Sequence, residues 1–212
     1  MALLAGVEAV LFDMDGTLVD SDAAVERAWS TWATEHGLHP SAALAIAHGN
    51  PAETTVRALL PALGPAEVAE SAARQLALQY DDLADVVPTD GAQRLVAVLT
   101  QRAWPWAIVT TADRRLAEAR LAAADLDVTV LVTAEDVAAG KPDPEGYLLA
   151  SRRLGVPPPH GLVVEDTATG LAAGRAAGAL TAALKGNEGD LRLTHLGELA
   201  DLLEAGQADR AS

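Results

Sequence analysis

With 212 residues, half of them apolar, the chain can bury a large core as one domain, or as one domain carrying an insert. Its 30 acidic and 15 basic residues leave a formal charge of −15. A surface of that sign repels nucleic acid and anionic lipid, which are bound through Lys/Arg clusters, so neither is an expected partner. With no cysteine, a disulfide framework and a cysteine-based metal site are excluded, and a reducing cytoplasm fits.

Met1–Phe12 is apolar but short and lacks a basic leader, so it reads as the approach to a core strand rather than a signal peptide. No segment approaches the roughly 20 apolar residues of a membrane span. The run 7–12 reads as a continuous buried strand. It ends in Asp13-Met14-Asp15-Gly16-Thr17.

Helical spacing then runs from about Asp22 to His36, with Ser21 or Asp22 as N-cap and Gly37 as stop. Shorter helices follow near 41–47 and 51–60, the latter opened by Asn50-Pro51, and a longer one over 65–84. Residues 20–86 thus read as all-helical.

After the turn-rich joint Val86–Gly91, strands and helices alternate. Helices are expected over 90–102, 113–124, 144–154, 168–177 and 196–204, with strands at 106–110, 128–132, 161–165 and 179–183. Alternation of this kind predicts an α/β fold: a Rossmann-like parallel sheet with helices on both faces. The first strand precedes the helical block and the second follows it. The expected organisation is therefore an α/β core of 1–19 and 87–212, with 20–86 inserted as a helical cap that serves as lid and specificity element.

Four segments fall at strand ends on one edge of that sheet, where open α/β folds bind ligands. They are Asp13–Thr17, Ile108-Val109-Thr110-Thr111, Gly140-Lys141-Pro142-Asp143-Pro144, and Leu162-Val163-Val164-Glu165-Asp166-Thr167. Each is unremarkable alone. Two acids after a strand are more often a solvated turn, a strand-ending threonine a mere β-former, and Glu165-Asp166 a helix cap. Together they supply carboxylates for a hard cation, hydroxyls for oxyanion contacts and a lysine for negative charge, the inventory of a phosphoryl-transfer site.

The segment Asp13-Met14-Asp15-Gly16-Thr17-Leu18-Val19-Asp20-Ser21, with Thr110, Lys141 and Glu165-Asp166, resembles the four motifs of the haloacid dehalogenase superfamily on its phosphatase side. Ala24–Trp29, Pro105–Thr110 and Val132–Glu135 are similar to bacterial sugar-phosphate phosphatases. The resemblance implies an enzyme, a phosphoric monoester hydrolase working through an aspartyl-phosphate. It implies Asp13 as nucleophile, Asp15 as acid/base and Lys141 as the cation of the transition state. It implies phosphate contacts from Asp13, Thr110, Thr111 and Lys141. Mg²⁺ would be held by Asp13, the Asp15 carbonyl, Asp166 and Glu165, with Glu165 either ligating the ion or orienting a water on it.

The expected substrate is a small phosphorylated sugar or polyol. A phosphoglycolate-type phosphatase is the alternative, and a sugar phosphomutase like β-phosphoglucomutase a further one. Mutases of this family carry a cap histidine where this chain has Val25, and the dehalogenase branch lacks the second acid that Asp15 supplies. A phospho-ligand-binding protein on the same fold is the non-catalytic alternative. His48-Gly49-Asn50 lies where relatives place a specificity loop, although Asn50 also suits the cap of 51–60. Trp29 and Trp32 can stack on a sugar or pack cap against core, and Arg57 or Arg74 can meet a second anionic group. A monomer or dimer is expected.

Overall fold

The computed structural model describes residues 4–47, 50–80 and 82–208, and within them the chain forms two compact units. One combines the chain up to Asp20 with the chain from Val87 onward, and the other spans Ser21–Val86.

The first strand, β1 (Ala9–Phe12), is buried at every position. After it comes a tight turn in which the N–H groups of Leu18 and Val19 both donate to the Met14 carbonyl. The short β2 (Val19–Asp20) pairs antiparallel with β3 (Val87–Pro88), so the two ends of the helical segment leave from one ribbon.

The helical unit contains α1 (Asp22–Glu35), α2 (Pro40–Ala47), α3 (Ala52–Leu59) and α4 (Pro65–Tyr80). Its core gathers Trp29, Trp32, Ala43, Val56 and Val68. Trp29 and Trp32 meet edge to face at 5.2 Å, and the Trp32 indole N–H donates to the Ser71 carbonyl and hydroxyl at 3.1 and 3.0 Å. Both tryptophans are thus spent on the unit's own packing. Arg57 pairs with Glu53 and Arg74 with Glu35.

Two local expectations are corrected. Asn50 does not cap α3: its side-chain amide donates back to the Ile46 carbonyl at 2.8 Å, and Pro51 takes the N-cap position. The last helix of the unit ends at Tyr80 rather than at 84, in a stretch where Arg27 grips both Asp82 and Asp85 at 2.7–2.8 Å. Those contacts, with the poor helix propensity of Asp, compete with another helical turn.

The rest of the α/β unit follows in alternation: α5 (Ala92–Gln101), β4 (Trp106–Val109), α6 (Arg114–Ala123), β5 (Leu131–Val132), α7 (Glu145–Leu154), β6 (Gly161–Glu165), α8 (Ala168–Ala176), β7 (Leu180–Ala183), β8 (Leu191–Arg192) and α9 (Leu196–Ala208). The sheet is parallel throughout in the order β5-β4-β1-β6-β7-β8, so β1 is central. Leu11 faces the side where Ala107, Val109, Val163, Tyr147, Ala150 and Ala173 form one apolar cluster. Val10 and Phe12 point the other way and are equally buried, as a sheet covered on both faces requires. Only the end of the expected strand 128–132 pairs as β5.

Candidate active site

The register explains the gathering of the four segments. Phe12 is level with Ile108 on β4 and with Val164 on β6. Asp13, Thr110 and Glu165-Asp166 therefore emerge together at the carboxyl ends of three neighbouring strands. The Asp13 N–H donates to the Val164 carbonyl at 3.0 Å, which holds its backbone beside β6.

Lys141 joins this edge from the loop before α7. Glu145, at the helix start, accepts from the N–H groups of Ala138 and Ala139 at 2.8 and 2.9 Å and so fixes that loop. The Lys141 ammonium donates to Asp13 Oδ1 at 2.5 Å and to Glu165 Oε1 at 2.6 Å, and it lies 5.3 Å from the centre of the Tyr147 ring. Its side chain is 8 % exposed. Burial works against its charge, but the carboxylates of Asp13 and Glu165 hold the ammonium well above its ordinary range.

Glu165 is fully buried and both its oxygens are engaged. Oε1 accepts from Lys141 and from the Tyr147 hydroxyl at 3.0 Å. Oε2 accepts from the N–H groups of Asp166 and Thr167, both at 3.1 Å, and from the Thr167 hydroxyl at 2.9 Å. Asp166 lies between the Lys185 ammonium, 3.1 Å from Oδ2, and the Thr17 hydroxyl, 3.4 Å from Oδ1. Its carbonyl accepts from Asn187 at 2.6 Å.

Gly16 makes the close approach of the first turn to Asp166 possible. Its φ of +82° is left-handed, and a Cβ there would lie 2.2 Å from Asp166 Oδ2 and 2.7 Å from Lys185 Nζ. Thr110 is buried, and its hydroxyl oxygen accepts from the Ala112 N–H at 3.0 Å, which leaves the O–H as a donor. Thr111 is exposed in the turn after β4. Asp15 Oδ1 accepts from Arg120 Nη1 at 2.6 Å. Asn50 is exposed in the helical unit, and His48 and Gly49 lie outside the described residues.

Carboxylate oxygens of Asp13, Glu165 and Asp166 lie within 4.8 Å of one another. Burial pushes the Asp13 carboxyl well above the usual carboxylate range, Lys141 opposing the shift and Glu165 and Asp166 adding to it. Asp166 is raised as well, first by burial, with Lys185 pulling it back. Three acids facing two lysines leave the cluster short of one positive charge. Hard oxygen donors with that deficit suit a divalent cation such as Mg²⁺.

Lys185, Asn187, Tyr147 and Arg120 were not anticipated from the sequence. Arg120 had a signal: with Leu116, Ala117 and Leu121 it sits on the buried stripe of α6, where a charge is out of place.

The chain belongs to the haloacid dehalogenase-like hydrolases, whose family model matches residues 7–178. Among its relatives, hexitol phosphatase A of Escherichia coli K12 is 43% identical over 169 residues, 79% of this chain and 78% of that protein. N-acetylmuramic acid 6-phosphate phosphatase of Pseudomonas aeruginosa is 33% identical over 84% of this chain and 82% of its own. Of solved structures, a HAD family hydrolase from Deinococcus radiodurans R1 with bound phosphate and sodium is 29% identical, with a TM-score of 0.69 over 95% of this chain and 97% of that one. A hydrolase from Pseudomonas syringae shares the fold with a TM-score of 0.82 at 24% identity, over 93% of this chain and 98% of its own. No helix among the described residues is long and apolar enough to cross a membrane.

Proposed function

We propose that the protein hydrolyses the phosphate monoester of a small phosphorylated sugar or polyol through an aspartyl-phosphate on Asp13. The observation that carries this reading is the buried contact of Lys141 with Asp13 and Glu165 at the strand edge. A carboxylate held by an ammonium inside a nearly dry site is poised as a nucleophile toward phosphorus rather than as a solvated surface acid. The 43% identity to a hexitol phosphatase supports a polyol or sugar as leaving group.

Asp13 attacks phosphorus, and Asp15 protonates the leaving oxygen. Asp15 then takes a proton from the water that breaks the acyl-phosphate. Thr110 donates its hydroxyl to a phosphoryl oxygen, Thr111 adds a backbone N–H, and Lys141 offsets charge that builds on the phosphoryl group. Mg²⁺ would be held by Asp13, the Asp15 carbonyl and Asp166. Bound there, it screens the repulsion between nucleophile and ester. Glu165, with both oxygens occupied, serves to orient Lys141 and the turn Asp166-Thr167 rather than to ligate directly.

Residues 20–86 act as the cap that selects the leaving group, with His48, Gly49 and Asn50 as its specificity loop. Hydrolysis is favoured over mutase chemistry because Val25, at the position of the mutase histidine, packs against the apolar cluster of the helical unit.

The test is phosphate release from hexitol phosphates, hexose phosphates, glycerol phosphate and phosphoglycolate, with and without Mg²⁺. Hexitol or hexose phosphates are expected to lead. Turnover confined to phosphoglycolate would overturn the substrate class, and no release from any ester would overturn the hydrolase reading.

A further inference from the structure

Arg120 is a buried arginine that none of the four motifs uses. Its side chain is 4 % exposed, and it crosses from α6 to the first strand's turn, 105 residues away in sequence, to meet Asp15 at 2.6 Å. The Asp15 side chain is itself 28 % exposed, so the arginine approaches it from the protein side. Taking a guanidinium out of water is costly, and an apolar residue at this point of the stripe would pack α6 against its neighbours at less cost. Stability of the helix alone therefore does not account for a cation here.

We infer that Arg120 is the positioning residue of Asp15, fixing the orientation of the carboxylate that exchanges protons during turnover. The inference rests on the phosphatase reading above. The bond from Arg120 holds the Asp15 carboxylate in one orientation. In the first half-reaction Asp13 forms a bond to phosphorus, the bond from phosphorus to the leaving oxygen breaks, and the proton supplied by Asp15 passes to that oxygen. In the second, a water oxygen bonds to phosphorus and gives its proton back to Asp15. The Asp13–phosphorus bond then breaks and inorganic phosphate leaves. Both transfers need one carboxylate oxygen in one place, and a guanidinium fixed in a packed helix supplies that constraint more rigidly than solvent does.

The experiment compares Arg120→Met and Arg120→Lys with the unaltered enzyme and with Asp15→Asn. The substrates are a hexitol phosphate and p-nitrophenyl phosphate, whose leaving group needs little protonation. For Arg120→Met, kcat on the hexitol phosphate is expected to fall about 10²-fold with KM nearly unchanged, the scale of a misplaced catalytic group. The pre-steady-state burst of p-nitrophenolate should keep its rate while the steady state behind it slows. Arg120→Lys, which keeps the charge and loses the geometry, should show the same pattern more weakly. It also stands in if the methionine variant does not fold.

Unchanged kcat in both variants overturns the inference. So does a loss that falls equally on the burst and on the hexitol ester, which would mark a purely structural role. If Asp15→Asn is itself active, the acid/base reading fails and the inference falls with it. If Asp15→Asn is inactive and the Arg120 variants are not impaired, the role of Arg120 alone is refuted.

Discussion

Gly170 leaves the space that the Glu165 carboxylate occupies: a Cβ on it would lie 1.6 Å from Oε1. Glycine in the first turn of α8 is thereby tied to the site through Glu165, which in turn holds Lys141 and Tyr147. Gly170→Ala is expected to push Glu165 off its partners and to destabilise the fold by about 1–3 kcal/mol, the usual range for an overpacked core. Turnover should fall with it, because Lys141 loses one of its two anchors. Thermal unfolding and kcat measured on one preparation check this, and an alanine variant with unaltered values would show that Glu165 has another place to go.

Tyr147→Phe is a gentler test of the same network. The phenol is buried, and burial followed by the charge of Glu165 pushes its ionisation far up, so it acts as a neutral donor to Oε1. Removing the hydroxyl costs about 1–2 kcal/mol, since Glu165 keeps its other donors. Urea unfolding should show that loss with KM unaltered, whereas a large rise in KM would place Tyr147 against the substrate.

Asp136 links stability to pH away from the site. Arg153 donates to it at 2.8 Å and the Thr133 N–H at 2.9 Å, and these two, Arg153 first, pull its carboxyl down to about 2; Arg114 also donates to it, at 3.0 Å. A depressed carboxyl stabilises the fold above the unfolded value near 4, and that stabilisation is lost as the pH falls through about 2. Asp136→Asn is expected to remove about 1 kcal/mol at pH 7 after allowance for solvent screening. The gap between variant and parent should close by roughly pH 2. A gap that stays constant with pH would assign the effect to packing.

Divalent cation binding has its own expected signature. Saturating Mg²⁺ at about a hundred times its dissociation constant stabilises a folded protein by about 2.7 kcal/mol, a rise of roughly 5–10 °C in Tm for a chain of this size. Chelation should remove both that rise and the turnover without unfolding the protein. Asp166→Asn should blunt the thermal shift. A shift of full size in that variant would move the ion away from Asp166.

The parts of this architecture visible in the sequence are those written in local pattern. Val10, Leu11 and Phe12 form an unbroken apolar run because β1 is central and buried on both faces, and the same holds for Leu162–Val164 in β6. Of the four two-residue strands, β2, β3 and β8 carry no such pattern. Near β8 the chain is held by Asp190, just before the strand, which accepts from the Thr181 N–H and hydroxyl on the adjacent β7 at 2.8 Å, a polar contact that apolar periodicity does not mark. The site divides in the same way. Asp13, Thr110, Lys141 and Asp166 end elements or sit in loops and were legible. Lys185, Tyr147 and Arg120 gain their meaning from neighbours that only the fold supplies.

The central claim is that Asp13 carries the phosphoryl group. Rapid mixing with a ³²P-labelled hexitol phosphate, acid quench and proteolysis test it most directly. Transient label, stable in acid and released by hydroxylamine, is expected on the peptide that holds Asp13, and it should be absent from Asp13→Asn. Product formation with no label on the protein at any time, or label retained in Asp13→Asn, would contradict the account.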